Sequence, residues 1–134
     1  MSVIVDTTIW SLALRRSAPA EGRAEGELRK LIEGGRVVLL GPVRQELLSG
    51  VREAEQFKLL RQRLRAFPDL SLRASDYEDA ADCFNRCRAR GIQGSNTDFL
   101  ICAVAVARGL PIFTTDQDFT QFKKVLRLKL HEPG

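Results

Sequence analysis

Asp6, Glu46, Asp98 and Asp116 are the residues of this chain best placed to do chemistry together, because each falls where an apolar run ends or a helical pattern begins. In a parallel α/β sheet the carboxyl ends of the strands open onto one crevice, so acids from distant stretches can meet there. A pocket of carboxylate oxygens suits a hard divalent cation such as Mg²⁺. Without a cation, two like charges about 4 Å apart repel by roughly 4 kcal/mol at an effective dielectric constant near 20. Convergence of the four would therefore point to a metal. Taken singly, each acid also has a simpler explanation. Asp98 follows Ser95 at the spacing of a capping box, Asp6 fits as a cap for the helix after it, Asp116 or Asp118 fits as the holder of the turn before Phe119, and Glu46 fits as a solvated helix residue. Position separates the readings: two of these acids directly follow apolar runs, which capping does not require.

The elements that must carry these acids are legible from periodicity. Val3-Ile4-Val5 reads as a short buried strand ending at Asp6, and Ile9, Trp10, Leu12 and Leu14 as the helix after it. Ala18-Pro19-Ala20-Glu21-Gly22 interrupts the pattern, and Leu28, Leu31 and Ile32 resume helical spacing until Gly34-Gly35. Residues 37–40 form a second strand, after which Gly41-Pro42 starts the helix of Glu46, with Pro42 at the favourable first position. Phe57, Leu60 and Leu64 mark one face of a helix over residues 54–67, with Arg61, Arg63 and Arg65 alternating as a solvated face. Leu70-Ser71-Leu72 is a weak third strand, Ser75-Asp76 opens a long helix that stops at Gly91, and Pro111-Ile112-Phe113 is a fourth strand. Between them Ser95-Asn96-Thr97-Asp98 leads into an almost wholly apolar helix over residues 99–107, buried on most sides. A last strand is expected within residues 125–130. Strands separated by helices imply parallel pairing and right-handed crossovers. The expected fold is α/β: one domain over residues 1–134, a three-layer α/β/α sandwich with a mostly parallel central sheet of four to five strands.

Bulk properties narrow the class. A chain of 134 residues, 44% hydrophobic, fits one domain with a real core. Its net charge of +4 and pI near 9.3 sit beside an acidic pocket, so the excess positive charge lies elsewhere and a polyanionic partner fits. Arg15, Arg16 and Arg23 follow the first acid closely and are the candidates for phosphate contact. Trp10 and Phe99 lie within apolar helical patterns and read as core rather than base-stacking platforms. Cys83, Cys87 and Cys102 are odd in number and lack a matching metal pair, and His131 is the only histidine, so the cysteines read as buried free thiols. No basic-then-apolar leader precedes Asp6, and the longest apolar run stops at Arg108, short of the about 20 residues that span a bilayer. A cytoplasmic protein without membrane contact is expected.

Four stretches resemble, in order and spacing, the four blocks of PIN-domain ribonucleases, in particular the VapC-like toxins of bacterial and archaeal toxin–antitoxin pairs. They are Val5-Asp6-Thr7-Thr8-Ile9-Trp10, Gly41-Pro42-Val43-Arg44-Gln45-Glu46-Leu47-Leu48-Ser49-Gly50, Thr97-Asp98-Phe99-Leu100-Ile101-Cys102-Ala103 and Phe113-Thr114-Thr115-Asp116-Gln117-Asp118-Phe119. The likeness covers almost the entire chain; Cys102 stands where alanine is common, and Asp118 adds an acid whose role varies. It implies that Asp6, Glu46, Asp98 and Asp116 form the catalytic set, with Asp6, Asp98 and Asp116 holding Mg²⁺ or Mn²⁺ and Asp118 secondary. Such a metal lowers the pKa of a bound water and neutralises charge developing on a phosphodiester. Because Mg²⁺ keeps several waters, some of the acids would act through water. Thr7 or Thr8, Asn96 and Thr115 either hold carboxylates and waters in place or serve as turn and cap residues. The resemblance further implies an RNA substrate cut to a 5′-phosphate and a 3′-hydroxyl, a cognate inhibitory antitoxin protein and a homodimer. Leu47, Leu48, Phe57 and Leu60 either form the antitoxin's groove or pack in the core.

Two other classes compete. A catalytically silent module using the same fold to bind RNA or protein needs no set of four acids. A phosphoryl-transfer domain of the aspartyl-phosphatase type wants a second acid two residues after the first, where Thr8 stands, and a receiver wants an acid pair beside the first strand, which is missing.

Overall fold

The computed structural model describes residues 1–14 and 23–134. Arg15, Arg16 and the interruption over residues 18–22 lie outside the described residues. Three strands form the sheet: β1 (Val3–Val5), β2 (Val37–Val38) and β3 (Ile112–Phe113). Their order is β2-β1-β3 and both pairings are parallel, with Val3 opposite Val37 and Val5 opposite Phe113. All three residues of β1 are fully buried, as expected of a central strand covered on both faces.

The expected fourth and fifth strands are reduced to single parallel bridges, Leu39 with Asp69 and Ile112 with Leu130. Each edge segment still donates or accepts ladder bonds: Leu70 N–H reaches Leu39 O at 3.0 Å, Ile112 N–H reaches Lys129 O at 2.9 Å, and His131 N–H reaches Ile112 O at 2.7 Å. Leu70-Ser71-Leu72 is too short and polar to extend the ladder further, and only Leu126 and Leu128 of the last segment are buried. His131 also closes onto Glu27 at 2.5 Å, tying this tail to the second helix.

Seven helices complete the described residues: α1 (Thr7–Leu14), α2 (Arg23–Glu33), α3 (Gly41–Leu48), α4 (Ala54–Leu64), α5 (Ala74–Arg88), α6 (Asn96–Arg108) and α7 (Asp118–Phe122). From β1 the chain crosses to β2 on one side, and from β2 it returns past β1 to β3 on the other. Right-handed connections in opposite directions place α2 and α6 on opposite faces, giving three layers. The same reversal leaves a crevice at the carboxyl end of β1, where ligands of α/β sheets bind.

Helix α6 is the buried spine. Phe99 to Ala105 are all buried, Ser95 caps its start and Gly109, at φ 64°, closes its end in the left-handed region that suits glycine. α5 packs along it, held at its own start by Asp76. That carboxylate accepts Arg73 N–H at 2.8 Å and a two-pronged bond from Arg108 of α6 at 3.0 and 3.2 Å. This reach-back starts α5 at Ala74, just ahead of the Ser75-Asp76 expected from sequence. α4 ends at Leu64 rather than running to residue 67, because the chain tightens so that Phe67 N–H bonds Leu64 O.

Trp10 and Phe99 are core residues, 3% and 1% exposed. Trp10 meets Phe67 edge to face with ring centroids 5.2 Å apart, and Phe99 lies between Phe84 and Phe122 at 5.4 and 4.8 Å. The three cysteines are buried and free. Leu47, Leu48 and Leu60 pack against the core, while Arg61 lies over the ring of Phe57 at 5.6 Å. Arg61, Arg63 and Arg65 are exposed. Among the described residues no helix is long and apolar enough to cross a membrane.

Candidate metal centre

Asp6 sits at the carboxyl end of the central strand and is 3% exposed. Its backbone N–H continues the ladder to Phe113 O at 2.9 Å, which brings Thr114 alongside it on the neighbouring strand. Two hydroxyls then converge on one carboxylate oxygen: Thr114 Oγ1 donates to Asp6 Oδ2 at 2.7 Å and Thr8 Oγ1 donates to the same atom at 3.0 Å. Each hydroxyl has a single proton, so with both given to Oδ2 their oxygens are left to accept. Thr114 Oγ1 accepts Asp116 N–H at 3.0 Å, and Thr8 Oγ1 accepts Thr115 N–H at 3.3 Å. The network thus locks the β1–α1 turn to the β3–α7 loop and spends only one oxygen of Asp6. No hydrogen bond reaches Asp6 Oδ1 among the described residues.

The remaining acids arrive from three other elements. Asp98 lies in the first turn of α6 in a reciprocal cap, accepting Ser95 N–H at 3.1 Å while its own N–H donates to Ser95 Oγ at 3.0 Å. The simpler capping explanation is therefore true of Asp98, and it does not exclude the other. Burial is the main reason that its carboxyl is held above the ordinary carboxylate range; the Ser95 hydrogen bonds pull the other way and the charges of Asp6 and Asp116 push it further up. Glu46 in α3 is exposed as a residue, yet its carboxyl is also raised, first by partial loss of hydration and then by the charges of Asp98 and Asp6. Asp116 follows β3, and its Oδ1 accepts Asp118 N–H at 2.9 Å, which opens α7. Asp98 therefore feels Asp6 and Asp116, and Glu46 feels Asp98 and Asp6: the four acids share one field.

None of the four is ion-paired among the described residues, where the salt bridges are Arg44–Asp69, Arg86–Asp82, Arg108–Asp76 and His131–Glu27. Nor, among the described residues, do any three His, Cys, Asp or Glu side chains stand as a ready-made metal cage. The donor chemistry fits a hard divalent ion: carboxylate oxygens only, one of them held rigidly with its second oxygen free, in a field of unbalanced negative charge.

The carboxylate-holding hydroxyls are those of Thr8 and Thr114. Thr7 and Asn96 make no side-chain hydrogen bond among the described residues, and Thr115 takes part through its backbone N–H. Thr114 was not singled out from sequence, although the parallel register carried the signal: if Val5 pairs with Phe113, the residue after each must be neighbours. Asp118 is exposed and contributes its N–H to Asp116. Arg23, at the start of α2, is exposed.

The PIN domain family model matches residues 3–125, and the chain belongs to that family. Among its relatives are a VapC ribonuclease of Mycobacterium bovis and ribonuclease VapC11 of Mycobacterium tuberculosis, each 28% identical over 131 residues that cover 95% of this chain and 96% of the relative. Solved structures share the fold at lower identity. FitAcB from Neisseria gonorrhoeae matches at a TM-score of 0.76 and 20% identity, covering 98% of this chain and 97% of that one. VapBC2 from Rickettsia felis, bound to a DNA fragment from their promoter, matches at 0.77 and 19%, covering 98% of each chain.

Proposed function

We propose that this chain, as a single PIN-like domain over residues 1–134, is a Mg²⁺- or Mn²⁺-dependent endoribonuclease toxin that hydrolyses RNA phosphodiester bonds and is restrained by a cognate antitoxin. What supports the reading is the arrangement at the carboxyl end of β1: Asp6 is held on one oxygen by Thr8 and Thr114, the same Thr114 holds the loop of Asp116, and among the described residues none of Asp6, Glu46, Asp98 and Asp116 is ion-paired to a basic side chain. The ribonuclease names of its relatives agree with it.

In this reading Asp6, Asp98 and Asp116 hold the divalent ion, which when bound acidifies a coordinated water and offsets charge on the scissile phosphate. The chain's own residues supply order. Thr8 and Thr114 fix the rotamer of Asp6, the Ser95 cap fixes Asp98, and Thr114 Oγ1 with Asp118 N–H fixes the loop of Asp116. Glu46, whose carboxyl has an increased affinity for a proton, is suited to accept one from the attacking water at its carboxylate. The four acids repel RNA, so substrate must be drawn in by basic side chains around the crevice.

For the antitoxin, the supporting feature is a groove of about 290 Å³ between α1, α2 and the end of α4, lined by Trp10, Leu14, Leu28, Ile32 and Phe67. Ile32 is exposed there at 38%, and the buried Trp10 Nε1 has no hydrogen-bond partner among the described residues. A homodimer and a cytoplasmic location belong to the same proposal. The test is incubation of purified protein with a mixed RNA pool and Mg²⁺ or Mn²⁺, wild type beside Asp98→Asn. Cleavage by the wild type to 5′-phosphate ends, lost in the variant, supports the reading; equal cleavage by both refutes it.

A further inference from the structure

Three of the four acids are anchored by hydrogen bonds, and Glu46 is not. Asp6 accepts two hydroxyls, Asp98 sits in a reciprocal cap and Asp116 accepts Asp118 N–H, but no side-chain hydrogen bond holds Glu46 among the described residues. Its place depends on where α3 lies. That helix has eight residues, no side-chain cap at Leu40 and too little length to be stable alone. Val43 and Leu47 seat one face of it in the core.

Another face is pinned by a single guanidinium. Arg44 donates through Nε to Asp69 Oδ1 at 2.8 Å, through Nη1 to Leu64 O at 3.0 Å and through Nη2 to Phe67 O. Leu64 O and Phe67 O belong to the end of α4 and the tight turn after it; Leu64 O also accepts Phe67 N–H at 3.0 Å, so Arg44 takes its second lone pair. Asp69 in turn pairs with Leu39 at the end of β2, and its Oδ2 stands 3.7 Å from the point where a side chain on Gly41 would begin. The contacts close a ring from β2 through the start of α3, Arg44 and Asp69 back to β2. Residues two apart on a helix are about 200° apart around its axis, so a clamp at Arg44 turns Glu46 to the opposite side.

We propose that Arg44 is a positioning residue: by fastening α3 to the end of α4 and to Asp69, it sets the rotation and height of the helix that presents Glu46 to the other three acids. Its guanidinium is committed to three acceptors, one through each nitrogen. Lysine, a point charge without the planar fork, cannot make the same three bonds. The inference rests on the nuclease reading given above.

The experiment measures steady-state cleavage of a short RNA by wild type, Arg44→Gln, Arg44→Lys, Glu46→Gln and the double variant Arg44→Gln/Glu46→Gln, at a temperature where circular dichroism shows each folded. Misplacing a catalytic group by about 1 Å can cost on the order of 100-fold in rate. Arg44→Gln is expected to lower kcat by about 10- to 100-fold with KM within about twofold, Arg44→Lys to fall between, and the double variant to be no slower than Glu46→Gln alone. That non-additivity is the signature, since a merely structural lesion would multiply with the loss of Glu46. If Arg44→Gln does not fold at the assay temperature, Arg44→Lys and its double variant with Glu46→Gln carry the same comparison. Wild-type kcat in both Arg44 variants, or multiplying losses, overturns the positioning role while leaving the nuclease reading intact if Glu46→Gln is impaired. A wild-type protein that cuts no RNA, or a fully active Glu46→Gln, overturns the underlying reading and the role of Arg44 with it.

Discussion

Replacing Gly94 with alanine should cost this protein about 2 kcal/mol, through a methyl group that has nowhere to go. A Cβ there would stand 2.6 Å from Phe122 Cζ, 3.0 Å from Phe122 Cε1 and 3.0 Å from Phe99 Cε2. Carbon atoms prefer about 3.5–4.0 Å, so the ring end of Phe122 would have to retreat by roughly 1 Å. Phe122 is fully buried and packs on Phe99 and Phe119 with centroids 4.8 and 5.1 Å away, so a retreat passes through the aromatic cluster. Overpacking of this kind costs about 1–3 kcal/mol, and losing the flexibility of glycine in the unfolded chain returns roughly 0.4–1 kcal/mol. Unfolding entropy of about 2.1 cal/mol/K per residue converts a net 2 kcal/mol into a fall in Tm of about 7 °C for a chain of this length. Thermal and urea unfolding followed by circular dichroism measure it, with Phe122→Leu as the partner variant. Shortening that side chain in the Gly94→Ala background should cost less than it does in the wild type. A Tm within about 1 °C of wild type, or strictly additive effects, would refute the packing argument.

Thr114→Val removes the hydroxyl that holds both Asp6 and the Asp116 loop, and should lower RNA cleavage by about 10- to 100-fold with little change in Tm; near-normal activity would contradict the role given to it. Arg108→Ala strips Asp76 of its two-pronged partner and should destabilise the fold by about 3 kcal/mol in urea titrations. The hydrogen bond from Arg108, then that from Arg73, hold the Asp76 carboxyl below its usual range, so its contribution is present above the unfolded carboxylate pKa and is lost as pH falls through the lowered folded value. Glu46 and Asp98 act in the opposite sense: with folded values raised in the metal-free protein, their own contribution is fully present below the ordinary carboxylate range and is lost as pH rises through the raised values. Unfolding in EDTA across that window should show the loss, reduced in Glu46→Gln; identical profiles would contradict the shared field.

Much of this arrangement could be read from residue order because the signals were local. β1 declared itself as a β-branched run ending in an acid, α6 as a capped apolar helix, and Trp10 and Phe99 as core residues by their helical spacing. The edge segments were less legible. A strand there needs only one or two ladder bonds, and Leu70-Ser71-Leu72 carries too little apolar pattern to tell a strand from a bridge. The hydroxyls were ambiguous for another reason. Thr7, Thr8, Thr114 and Thr115 are adjacent pairs, and which member faces the carboxylate is decided by strand register and turn geometry, both long-range facts. Arg44 was invisible as a clamp because its three acceptors lie 20 to 25 residues away in sequence.

In the proposed function four acids from separate elements serve one divalent cation. The most direct measurement is the shift in Tm on adding Mn²⁺ to EDTA-treated protein, for wild type and for Asp6→Asn, Glu46→Gln, Asp98→Asn and Asp116→Asn. A cation that binds only the folded state stabilises by about 2.7 kcal/mol at 100 times its Kd. The wild type should therefore gain several degrees and each variant should lose most of that gain. A wild type indifferent to Mn²⁺, or an Asp6→Asn protein that responds as fully as the wild type, would contradict the account.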